Sequence, residues 1–152
     1  MSEKEYLVAS KNAVHAIIYD ENNNYLFQLR DDKKKIFYPL HWGVFGGGME
    51  PDETEKNCLK RELNEELSIT IDEKQLFYFT KFQFDLSFKN LNKIFVSYFE
   101  YKINNEMKKN ISLNEGIKYE FFKASDFLKM SHLVPLDAFA IWLHSTKNEK
   151  FI

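Results

Sequence analysis

Only two of the 152 residues are arginine, Arg30 and Arg61, against 19 lysines. Cysteine is nearly absent too: Cys58 stands alone, which excludes an internal disulfide and leaves it the role of a small core residue on a helix. No apolar run approaches the roughly 20 residues of a membrane span. The first residues, Met1 to Tyr6, lack the apolar stretch of a signal peptide, so a soluble cytoplasmic protein is expected. A net charge of −2, from 21 basic and 23 acidic residues, offers no electrostatic footprint for duplex DNA or an anionic membrane. No Asp-x-Asp-x-Asp-Gly run is present, which removes calcium binding of the EF-hand kind. Glycine occurs five times, and four of the five lie between Gly43 and Gly48.

Against those absences, a content of 44% hydrophobic and 16% aromatic residues is enough for one compact domain over residues 1–152. The scarce residue types gather in one place. Directly after Gly46, Gly47 and Gly48 comes an acidic stretch that contains Arg61. A helix is predicted from about Thr54 to Leu67, with Leu59, Leu63 and Leu67 as its apolar stripe. Glu62, Glu65 and Glu66 then converge on an adjacent face, at a cost of roughly 0.2–0.5 kcal/mol per like-charged pair. A cation relieves that repulsion, and Mg²⁺ suits such hard oxygen ligands best. Either Asp52 or Thr54 can cap the helix.

Gly47, Glu53, Arg61, Glu62, Leu63, Glu65, Glu66 and Ile69 fall in the register of the Nudix box, Gly-x5-Glu-x7-Arg-Glu-U-x-Glu-Glu-x-Gly-U, where U is bulky and aliphatic. The chain therefore resembles a Nudix hydrolase, departing at Ser68, where the family has glycine. A residue other than glycine at a helix end with positive φ costs roughly 1 kcal/mol. Phe45 takes the place of a frequent family proline.

Along the rest of the chain, Asn12 to Asp20 and Tyr25 to Arg30 are predicted to form a hairpin around an asparagine-rich turn. His15 in the first strand is read as a structural histidine. Lys33, Lys34 and Lys35 belong to a loop, either as a solvated face or as an attractor of phosphate. Trp42 to Phe45 is a short strand that feeds the glycines. Leu76 to Lys89 and Lys93 to Lys102 are predicted strands, the first with Phe82, Phe84, Leu86 and Phe88 as its core face. Asn104 to Glu106 is a turn and Tyr119 to Lys123 a strand. A closing helix over 136–147 presents Leu136, Phe139, Ala140 and Leu143. This order predicts an α+β fold, a mixed sheet between helices, and the Nudix α/β/α sandwich is that arrangement.

The resemblance implies a hydrolase that splits a nucleoside diphosphate from a linked group with Mg²⁺, for which Mn²⁺ can substitute. It implies Glu62, Glu65 and Glu66 as metal ligands, joined by the carbonyl of Gly46, with Arg61 holding the box glutamates in position. By the same resemblance Glu53 is expected to orient water or bind a further metal. A carboxylate outside the box is expected near the last strand, and Glu115 beside Gly116 is the best candidate, with Glu106 and Glu120 as alternatives. Arg30, at the end of a strand, and Asp137, early in the last helix, are the expected substrate contacts. A compact nucleoside triphosphate or nucleotide sugar is the expected substrate, homodimeric assembly is left open, and a non-catalytic nucleotide sensor is the competing reading.

Overall fold

A computed structural model describes residues 11–33 and 36–147 of the chain. Lys34 and Lys35 of the lysine run, and Met1 to Tyr6, lie outside the described residues. The predicted hairpin forms as β1 (Ala13–Tyr19) and β2 (Asn24–Leu29). Its turn is held by Asp20, whose carboxylate accepts from the amides of Asn22 and Asn24, both at 2.9 Å. Five further strands follow: β3 (Trp42–Gly43), β4 (Phe45–Gly48), β5 (Phe77–Phe84), β6 (Ile94–Lys102) and β7 (Lys118–Lys123). All seven form one sheet in the order β3-β2-β1-β6-β5, with β4 added to β1 and β7 to β2. The β1–β6 pair is parallel and the others are antiparallel, so the sheet is mixed, as expected.

Alternation along β1 builds two cores. Val14, Ala16 and Ile18 pack with Leu59, Leu63 and Leu67 of helix α1 (Glu55–Leu67), while Ile17 packs with Ala140 and Ile141 of helix α4 (Pro135–Thr146). A central strand buried on both faces thus separates the two helices. Each fully buried leucine of the α1 stripe contributes about 1.5–3 kcal/mol. Thr54 caps α1, its Oγ1 accepting from the amide of Asn57 at 3.2 Å, while Asp52 stays in the preceding turn with φ of 62°.

Four expectations are corrected. The single strand Trp42 to Phe45 is split at Val44, whose amide and carbonyl are bonded instead by the side chains of Asp137 and Gln28. β5 stops at Phe84, and Ser87–Lys89 is a 3-10 turn. A bulge between Tyr78 and Thr80 interrupts its register; Phe84, at the end of this edge strand, is 37% exposed, and Phe88, in the 3-10 turn beyond it, 75% exposed rather than in the core. The turn at Asn104 opens a short helix, α2 (Asn105–Lys109), and another, α3 (Ala124–Phe127), follows β7. Finally, α4 buries Asp137, Ala140, Ile141 and His144, leaving Phe139 47% exposed. Its inward face is set by two polar residues that find partners, a pattern that apolar spacing cannot register.

Candidate active site

Arg61 is the hub of the site. Its Nε and Nη2 lie 2.9 Å from the two carboxylate oxygens of Glu53, Nη2 also reaches the carbonyl of Gly48 at 3.1 Å, and Nη1 reaches Glu62 at 2.7 Å and Glu65 at 3.4 Å. Only a planar fork ties the pre-helix loop, the end of β4 and α1 together in this way, which a lysine cannot do. The guanidinium holds the Glu53 carboxyl down at about 2.

Glu62 turns its carboxylate to the backbone of Gly47. A Cβ on Gly47 would lie 2.3 to 2.5 Å from the carboxylate atoms, so the approach requires glycine. Burial pushes the Glu62 pKa up; Arg61 opposes this, and the charges of Glu65 and Glu115 add to it. Glu66 is deeper, 6% exposed, with Oε2 accepting from the amide of Gly46 at 2.9 Å and Oε1 at 3.5 Å from Gln28 Nε2. Burial, then the charges of Glu62 and Glu115, lift its pKa to about 8, against the opposing bonds.

Glu115 arrives on a strap, residues 111 to 117, fastened to the end of α1. Ser112 donates its amide to the carbonyl of Leu67 at 3.0 Å and Asn114 its amide to that of Glu66 at 2.8 Å. Asn114 Nδ2 adds bonds to the carbonyl of Glu65 at 2.9 Å and to Ser68 Oγ at 2.8 Å. Ser68 itself is left-handed, with φ of 55°.

Gly46, Glu53, Arg61, Glu62, Glu65, Glu66 and Glu115 are thus brought into one neighbourhood. The contact seen at Gly46 is made by its amide. Arg30 follows β2 and is half-buried, and its Nε has no hydrogen-bond partner among the described residues. Ile117 donates to the carbonyl of Leu29 at 2.9 Å, which sets the strap beside that strand end. Asp137 does not stand open to a base edge: it is 1% exposed and accepts from Val44 N at 3.0 Å and Tyr98 Oη at 2.7 Å, with His15 Nδ1 at 3.0 Å. Burial pushes its carboxyl up, but His15, Tyr98 and Val44 outweigh that and hold it below the usual carboxylate range.

The profile of the NUDIX domain matches residues 9–143. The chain belongs to the Nudix hydrolase family. Three solved structures show the same fold. The MutT protein of Methanosarcina mazei Go1 is 22% identical over 94% of this chain and 100% of its own, with a TM-score of 0.73. The NUDIX domain of Shewanella oneidensis NrtR, complexed with ADP ribose, is 14% identical over 97% and 99%, with a TM-score of 0.69. A C. elegans Ap4A hydrolase is 20% identical over 90% and 96%, with a TM-score of 0.65. Among curated proteins no match was found.

In this Nudix hydrolase the box is the glycine strand, loop and helix just described. Its donor set is all oxygen, and the buried carboxylate of Glu66 beside Glu62 is stabilised by added positive charge, so the residues fit a hard divalent cation. Among the described residues no three acidic, histidine or cysteine side chains stand close enough to form a finished cage. Arg61 occupies oxygens of Glu62 and Glu65. Also among the described residues, no helix is long and apolar enough to cross a membrane. His15, Gln28 and Asn114 are the residues around this Nudix site that sequence reading missed. Each acts through a strand pairing or loop return that a linear pattern does not display.

Proposed function

We propose that the chain is a single-domain Nudix hydrolase that cleaves the pyrophosphate bond of a nucleoside diphosphate linked to another moiety, a nucleoside triphosphate or a nucleotide sugar, using Mg²⁺ with Mn²⁺ as a substitute. One observation carries this reading: a carboxylate 6% exposed, Glu66, is held against Gly46 within reach of the charges of Glu62 and Glu115. A buried carboxyl whose ionised form is disfavoured by burial and by neighbouring acidic groups is stabilised by a bound cation. Of the similar structures, one is an Ap4A hydrolase and another a NUDIX domain complexed with ADP ribose, and both compounds are nucleoside phosphates carrying a further group.

Glu62, Glu65, Glu66 and Glu115, with the carbonyl of Gly46, are the residues that would hold the ion. When bound, it supplies neutralisation of the diphosphate charge and lowers the pKa of attacking water. The chain's own residues do the rest. Arg61 fixes Glu62 and Glu53 relative to the Gly48 carbonyl, so the carboxylates cannot swing away from the glycines. Gly46 and Gly47 leave room for the backbone of β1 and for the Glu62 carboxylate, which fill the space a Cβ would take. Arg30, at the end of β2, contributes positive charge to the substrate side. The net charge of −2 suits a small nucleotide better than duplex DNA or a membrane surface.

The test is hydrolysis of a panel of nucleoside triphosphates and nucleotide sugars in Mg²⁺, with Glu65→Gln alongside. Turnover of at least one compound is expected, with a loss of about 10²-fold or more in the variant. Equal rates in both proteins overturn the metal-site assignment. Nucleotide binding with no turnover of any compound replaces the enzyme by a sensor.

A further inference from the structure

We propose that His15 contacts the nucleoside half of the substrate through its Nε2, and that Asp137 is the residue that positions it. This rests on the nucleotide-hydrolase reading above. Asp137 is an acceptor on both oxygens: Val44 N donates to Oδ2, Tyr98 Oη donates to Oδ1, and His15 Nδ1 meets the same Oδ1 at 3.0 Å. A carboxylate has no proton to give, so Nδ1 carries the hydrogen. In the tautomer that carries its hydrogen on Nδ1, Nε2 is a lone-pair acceptor of fixed direction. Among the described residues Nε2 has no partner, and it is not among the buried unpartnered atoms. The His15 side chain is 19% exposed while Asp137 is 1% exposed, so the dyad has one closed end and one open end.

Its open end lies beside the box. His15 is the register partner of Gly46 across β1 and β4, and a Cβ on Gly46 would stand 3.0 Å from His15 Cδ2, the ring atom bonded to Nε2. The amide of that same glycine holds Glu66. One peptide therefore separates the imidazole edge from the proposed metal-binding carboxylates. An aromatic wall runs outward from the ring: Tyr98 edge-on at 5.3 Å, Phe82 at 5.8 Å from Tyr98, and half-exposed Phe139 at 5.5 Å from Phe82. A nucleotide whose diphosphate lies over Gly46 and Gly47 meets an acceptor and a stacking face next. The group that fits Nε2 is a hydrogen-bond donor, a ribose hydroxyl or a base amine.

The experiment uses His15→Asn and His15→Gln. Asparagine keeps an N–H for Asp137 in the place of Nδ1 and removes Nε2; glutamine extends an acceptor toward the place of Nε2. On the panel compound turned over fastest, His15→Asn is expected to raise KM about tenfold, the scale of one hydrogen bond, with kcat within about twofold and an unchanged melting temperature. His15→Gln is expected to recover part of the KM. Long-range ¹H–¹⁵N spectra of the wild type are expected to show an Nδ1-protonated His15 whose Nε2 resonance moves on adding ADP with Mg²⁺. Comparing ADP with 2′,3′-dideoxy-ADP and with IDP assigns the donor to the ribose or to the base amine. An unchanged KM in His15→Asn, or an unmoved Nε2 while ADP shifts the amides of Gly46 and Gly47, overturns the inference and leaves the hydrolase standing. No wild-type turnover together with no ADP-induced amide shift overturns both.

Discussion

Asn114 Nδ2 donates to Ser68 Oγ at 2.8 Å, joining the strap that carries Glu115 to the residue that ends the Nudix helix. Where the family has glycine, this chain has a serine in the left-handed region and uses its hydroxyl. The conformational cost of serine there, roughly 1 kcal/mol, is of the same size as the bond it gains, about 0.5–1.5 kcal/mol. The departure from the box is therefore near neutral for stability, and it binds the helix end to the loop with the outlying carboxylate.

Ser68→Gly is accordingly expected to leave unfolding free energy within about 0.5 kcal/mol of the wild type, because relieved strain and lost bond offset. Asn114→Ala also forfeits the bond to the Glu65 carbonyl and should cost about 1–2 kcal/mol. Its larger effect is expected on kcat/KM, about tenfold down, since Glu115 loses its anchor. Urea titration beside steady-state kinetics separates the two, and a loss of stability with full activity would free Glu115 from the site.

Replacing Arg61 by lysine keeps the charge and loses the fork. The paired 2.9 Å bonds to Glu53 and the 2.7 Å bond to Glu62 cannot be made together by one ammonium. A loss of about 10²-fold in kcat is expected, with about 1–3 kcal/mol of stability. Activity retained within about threefold would show that a point charge suffices there.

The box was legible because its spacing encodes a local object: one helix, one capping turn and one glycine approach lie within 23 residues. Leu59, Leu63 and Leu67 told their burial by period alone. What stayed hidden was non-local. Asp137 reads as an exposed polar residue at the start of a helix, yet it is buried because Val44, Tyr98 and His15 come to it from two strands and the break between two others. The same bond at Val44 splits the predicted strand, so a misjudged strand and a misjudged site residue have one cause. In β5, Phe82 packs against the core as its alternation predicts, whereas Phe84, two residues on at the sheet edge, is 37% exposed.

The two adjacent glycines should respond differently to alanine. At Gly47 the added Cβ meets the side-chain end of Glu62 rather than backbone and has to push that carboxylate off its bond to Arg61, so the fold is expected to survive while activity falls about 10²-fold. At Gly46 the added Cβ meets the Val14 carbonyl oxygen at 2.2 Å, with φ at 139°. That strain falls on two backbones, and Gly46→Ala should unfold several degrees earlier. Thermal melts and kinetics on the pair decide it; equal melting temperatures would place the Gly46 strand looser against β1 than it is here.

Acid should weaken the fold at the turn between β1 and β2. Burial pushes the Asp20 carboxyl up, but Lys108 Nζ at 2.7 Å and the amides of Asn24 and Asn22 prevail and hold its pKa far below the ordinary range. A carboxyl depressed in the folded state contributes stability that is fully present above its unfolded pKa, about 4. As pH falls through and below that value, the contribution is progressively lost. Asp20→Asn keeps an acceptor for the amides and gives up the ion pair with Lys108, so it is expected to be about 1–3 kcal/mol less stable at pH 7. The gap to the wild type should narrow as pH falls below about 4. Urea unfolding at pH 7, 4 and 3 measures it, and a gap that stays constant across the three would place the stabilisation in the shape of the turn rather than in its charge.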